Sequence, residues 1–90
     1  MRDMYIVSDS DRANIFGTCY KFKYAHMLAS AVSTALTSKA IETKKPDPKI
    51  FVLIFEFTRG TWGYRKIAAY QNGNMIEYDH RMKEFNDGQI

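Results

Sequence analysis

The sequence predicts an α+β domain: one antiparallel β-sheet, in the order β-β-α-β-β-β, packed on one long α-helix. Three observations carry this. Apolar residues recur at helical spacing in one stretch, from about Phe22 to Glu42. Short apolar runs bounded by turn residues lie on both sides of it. Asn72-Gly73 then sits between two such runs, and that dipeptide suits a two-residue hairpin because both central residues need positive φ.

Taken in order, Met4-Tyr5-Ile6-Val7 reads as a short strand and Ser8 to Asn14 as a polar turn. Asp, Ser and Asn bond their own backbone and favour turns over ladders. Ile15 to Tyr20 reads as the return strand, interrupted by Gly17. In the helix, Tyr24, Met27, Leu28, Ala31, Val32, Ala35 and Leu36 fall on one side and are expected to face the core. Ser30, Ser33, Thr34, Thr37 and Ser38 take the other side, which is polar but almost uncharged. Pro46 and Pro48 end the helix and make Thr43 to Lys49 a surface loop.

Ile50 to Phe57 is the strongest strand, and both of its faces are apolar: Ile50, Val52 and Ile54 point one way, Phe51, Leu53, Phe55 and Phe57 the other. Thr58 to Gly60 reads as a turn leading into Thr61 to Gln71. The Asn72-Gly73 turn predicts the pairs Gln71 with Asn74, Ala69 with Ile76, Ile67 with Tyr78 and Lys66 with Asp79. Glu56 and Glu77 are expected to form ion pairs with Lys66 and Arg65. The tail from about His80 carries Met82, Phe85 and Ile90 among polar residues and reads as a short helical turn or a frayed end.

Ninety residues suit one domain spanning 1–90. Thirteen Lys and Arg against ten Asp and Glu make the chain mildly basic, short of a nucleic-acid signature and opposite in sign to a DNA mimic. One cysteine excludes a disulfide framework, and one Cys with two His excludes the usual four-ligand zinc site from this chain alone. No signal-peptide pattern or membrane-length apolar run stands out, so the expectation is a cytoplasmic, soluble protein without membrane contact.

Candidate chemistry is sparse. Asp9-x-Asp11 after a strand is similar to the aspartate pair of haloacid-dehalogenase-like phosphatases, but those need a doubly wound parallel fold that ninety residues cannot build. The same segment fails as an EF-hand loop, since Ala13 and Asn14 stand where a ligand and a glycine belong. Cys19, His26 and His80 are spaced without any pattern that joins a nucleophile to a base. The expectation is therefore no catalytic residue, no metal and no cofactor.

One segment mixes cations, rings and glycine: Arg59-Gly60-Thr61-Trp62-Gly63-Tyr64-Arg65-Lys66. Arg59, Trp62, Tyr64, Arg65 and Lys66 are the candidate partner-binding residues, because Trp, Tyr and Arg dominate binding hot spots. Lys44, Lys45 and Lys49 would extend this basic region, although they lie at the other end of strand 50–57, roughly 25 Å away at 3.3 Å per residue. Since one helix covers one sheet face, the doubly apolar strand also predicts a second cover. The tail could supply it, but a homodimer or another protein partner is the favoured expectation. The functional expectation is a non-enzymatic interaction module, of the kind a phage or plasmid uses as an accessory inhibitor of a host enzyme. The alternative is a nucleic-acid-binding module that uses the basic aromatic hairpin.

Overall fold

The structure, a computed structural model, describes residues 3–79. The elements are β1 (Met4–Asp9), β2 (Ile15–Cys19), α1 (Phe22–Thr43), β3 (Ile50–Thr58), β4 (Thr61–Gln71) and β5 (Asn74–Tyr78). They form the predicted α+β arrangement: a five-stranded sheet in spatial order β2-β1-β3-β4-β5, every neighbouring pair antiparallel, with α1 packed on one face. The expectation for the tail from about 80, including Met82 and Phe85, falls outside the described residues.

Local chemistry accounts for the turns. Asp9 gathers the first one: its carboxylate accepts from the Ala13 amide at 2.9 Å and from the Asn14 side chain at 2.8 Å. Both two-residue hairpins use positive φ at both central positions, with Asn72 at 51° and Gly73 at 79°, and Arg59 at 55° and Gly60 at 84°. This backbone matches the twist of the flanking strands. The helix stops at Lys44, which turns left-handed (φ 57°), while the Lys45 amide donates back to the Ala40 carbonyl at 2.8 Å. Pro46 then bars another helical turn.

Two sequence-based expectations fail here. The first is the β4–β5 register. Gln71 does pair with Asn74, but Tyr70 pairs with Met75, Ala69 with Glu77 and Ala68 with Tyr78. Ile76 is an extra residue in a bulge, so the expected pairs of Ala69 with Ile76, Ile67 with Tyr78 and Lys66 with Asp79 do not form. A second irregularity, opposite Val52 and Leu53, takes up Ile67 on β4.

The second failure is the rotation of α1. The line seated on the sheet is Phe22, Ala25, Ala29, Ser33, Thr37 and Ala40. Leu28, Val32 and Leu36 flank it half-buried, while Tyr24 and Met27 are 52% and 62% exposed and Ala31 and Ala35 face solvent. The hydroxyls explain the rotation. Ser33 Oγ accepts from the Gly73 amide at 3.1 Å, Thr37 Oγ1 from the Asn72 amide at 3.1 Å, and Ser30 Oγ donates to the Gly73 carbonyl at 2.8 Å. Thr37 Oγ1 also donates to Asp47, and Gln71 donates to the Asp47 carbonyl, which ties the proline loop to the same place. Small side chains let the helix approach closely, and their oxygens pair with turn amides that the helix partly covers.

The core between the layers comprises Tyr5, Val7, Phe22, Ala25, Ala29, Ile50, Val52, Ile54, Ile67, Ala68 and Tyr70. Helix α1 therefore covers the Ile50–Val52–Ile54 side of β3. The other apolar side, carrying Phe51, Leu53, Phe55 and Phe57, looks away from it.

Candidate binding face

Direct cross-strand partners share a sheet face, so the registers assemble residue by residue the side opposite α1, which is the helix-free side among the described residues. Phe55 pairs with Met4 on β1 and Tyr64 on β4, Phe57 with Trp62, Leu53 with Ile6 and Lys66, and Phe51 with Ser8 and Ala69. Ile15 stands beside Ser8 at the β2 edge. At the β3–β4 end the rings form one cluster. Phe55 stacks on Trp62 with centroids 5.1 Å apart and lies 4.8 Å from Tyr64, and Phe57 packs 5.6 Å from Trp62. Phe57 and Tyr64 nonetheless stay 57% and 56% exposed, and Ile15 64%. Beneath Tyr64, a hollow of about 230 Å³ is lined by Ile6, Ser8, Arg12, Ile15, Leu53 and Tyr64.

Charge is sparse across this face. Lys66 donates to Glu77 at 3.1 Å and lies over the Phe51 ring at 4.8 Å, and Lys49 sits 3.8 Å from the same Glu77. The strand pleat sends Arg65 to the opposite side, where its Nε meets Glu56 at 2.9 Å and its Nη1 meets Asp79. The expected ion pairing of the two glutamates with Arg65 and Lys66 is thus present, one cation to each.

The candidate residues consequently divide. Trp62, Tyr64 and Lys66 share the helix-free face, Arg65 lies behind it, and Arg59 occupies the hairpin tip. Lys44 and Lys45 lie at the far end of β3, beside the end of α1, whereas Lys49, also at that end, shares Glu77 with Lys66. Phe55 and Phe57 belong to the cluster but were absent from the candidate set. Their signal was in phase with Trp62 and Tyr64, yet spacing alone does not say which side of β3 the helix takes.

The titratable groups offer little chemistry. The Asn14 side chain, donating to Asp9, holds that exposed carboxyl below its usual range. Burial pushes His26 below its ordinary value. Its Nδ1 lies 2.7 Å from the Tyr70 hydroxyl, and burial raises that phenol well above the usual tyrosine range. Tyr70 stays protonated and can donate to the neutral imidazole, so the pair bridges helix and sheet. Cys19 is a half-buried free thiol against the core. His80 lies outside the described residues. Among the described residues, no group of three or more His, Cys, Asp or Glu could hold a metal ion, and no helix is long and apolar enough to cross a membrane. Comparison with protein-family models, curated proteins and solved structures finds no match.

Proposed function

We propose that this chain is a non-enzymatic interaction module that binds a protein through the helix-free face of its sheet. The observation that carries the reading is the cluster of Phe55, Phe57, Trp62 and Tyr64, whose rings pack on one another while Phe57 and Tyr64 stay more than half exposed. Rings already ordered by their neighbours lose little entropy on binding, and aromatic anchors carry much of the energy of protein interfaces. Arg59 adds a cation at the tip, held in a left-handed conformation that costs a non-glycine residue about 1 kcal/mol. Such a module acts by covering a surface of another chain. We assign it to the cytoplasm, where a lone free thiol such as Cys19 stays reduced.

Affinity capture with three forms tests this: wild type, Trp62→Ala/Tyr64→Ala, and Tyr24→Ala/Met27→Ala on the exposed side of α1. Protein partners retained by the first and third but lost by the second are the expected result. Identical capture by all three would sink the reading.

Exposed rings beside Arg59 also favour a second reading, a single-stranded nucleic-acid module. It predicts saturable binding of labelled DNA or RNA that weakens steeply with salt and falls on Arg65→Ala/Lys66→Ala. The carboxylates already engaging Arg65 and Lys66, and the separation of Lys44 and Lys45 from the hairpin, weigh for the protein partner.

A further inference from the structure

We infer that the protein covering this face is a second copy of the same chain, stacked sheet on sheet with the helices outermost. The inference rests on the face being a binding surface and names its occupant.

The edges of the sheet are poor places to associate. β2 and β5 are five residues long, and each pairing next to an edge carries an irregularity. Short, bulged edges resist pairing with another chain. The face has no such protection. Arg12 helps line the hollow and the Lys66–Glu77 pair stands on the β4–β5 side, while the largest exposed side chains of the face, Phe57, Tyr64 and Ile15, are apolar or aromatic. A second copy thus brings rings against rings, with Lys66 already paired to Glu77 and each Phe57 ring set beside the Arg12 that helps line the hollow.

Area is consistent with a pair. An aromatic side chain presents roughly 150–250 Å², so Phe57, Tyr64 and Ile15 together with partly exposed Met4, Phe51, Phe55 and Trp62 offer on the order of 500 Å² per copy. Two copies would bury about 1,000 Å², near the lower bound for a specific interface.

Shape selects the arrangement. The face carries both a ridge, Phe57, and a hollow floored by Leu53, four residues away along β3 or about 13 Å. A two-fold axis crossing the strands beside Phe55, midway between them, exchanges ridge and hollow. Each Phe57 then enters the other copy's hollow, and each Lys66 comes over the other copy's Trp62, where a cation is favoured on the ring face. Both contacts occur twice, as a symmetric dimer requires.

Sedimentation equilibrium and the emission of Trp62, the sole tryptophan, test this on the full chain. Wild type should run at twice the 10.5 kDa chain mass, and its emission should shift to the blue as concentration rises. Phe57→Lys should run as one chain with unchanged far-ultraviolet circular dichroism, because it sets a cation beside Lys66 and Arg12 of the other copy. Phe57→Leu, which still fills the hollow, and Met27→Lys on the exposed side of α1 should both keep the doubled mass. A wild type at one chain mass up to its solubility limit overturns the inference, as does a doubled mass lost in Met27→Lys but kept in Phe57→Lys. If wild type is a single chain while capture of a foreign protein still depends on Trp62 and Tyr64, the second copy fails and the binding face stands. If wild type is a single chain and capture is also indifferent to those residues, both readings fail.

Discussion

Replacing Ser33 with alanine tests how the helix is held. Ser33 is 0% exposed, and its Oγ accepts from the Gly73 amide at 3.1 Å. Alanine removes that acceptor from the half-buried Gly73 amide. Leaving such an amide unpaired costs about 1–2 kcal/mol, and the better helix propensity of alanine returns roughly 0.5 kcal/mol. The expected net loss is about 0.5–1.5 kcal/mol. In a domain of this size each kcal/mol lowers Tm by about 4–8 °C, so Ser33→Ala should melt roughly 3–10 °C below wild type. Thermal and urea unfolding followed by circular dichroism give the global number, and hydrogen exchange at Gly73 gives the local one. Thr43→Ala is the control: Thr43 is exposed, and its hydroxyl donates to the Lys39 carbonyl within its own helix, away from the turn. It should leave stability unchanged or slightly raised. A Ser33→Ala protein as stable as wild type, or a Thr43→Ala protein equally damaged, would refute the claim that helix hydroxyls anchor the Asn72-Gly73 turn.

Further outcomes follow from the same structure. His26 is lowered from 6.5 by burial, so the unfolded chain takes up the proton first as pH falls. The stability increment is complete above pH 6.5 and declines below it, and urea midpoints on either side of that pH should show a drop that His26→Phe removes. Arg65→Met leaves the partly buried carboxylates of Glu56 and Asp79 without their shared cation and should cost about 1–2 kcal/mol, toward the low end because Arg65 is one-third exposed. Part of that loss should return on adding salt, and a salt-independent result would contradict the ionic account. Arg59→Asn relieves a left-handed arginine and should raise Tm by the equivalent of about 0.5–1 kcal/mol. A lowered Tm would mean that Arg59 makes a stabilising contact at the tip.

Much of the architecture is legible in local chemistry. Asn72-Gly73 announces its hairpin because few residues other than asparagine and glycine accept positive φ, and the first pair across it, Gln71 with Asn74, is correct. The doubly apolar run from Ile50 to Phe57 marks the central strand and implies that its second face needs cover. The ring cluster was half visible: Trp62 and Tyr64 stood out in their segment, whereas Phe55 and Phe57 join them across the ladder.

Strand identity, chain order and turn type were decided within a few residues, where spacing, proline and glycine act directly on the backbone. The rotation of α1 and the slip after Ala69 were decided only by tertiary packing. Tyr24 and Met27 have the larger apolar areas, yet the helix turns Ser33 and Thr37 inward, where they supply acceptors to partly covered turn amides that no apolar side chain could provide. The bulge at Ile76 alters the β5 register so that Glu77 reaches Lys66 and Tyr78 packs on Phe22. Hydrophobic periodicity reports how much area a face could bury. Which face is buried depends on the polar groups opposite it, and those come from segments some forty residues away in the chain.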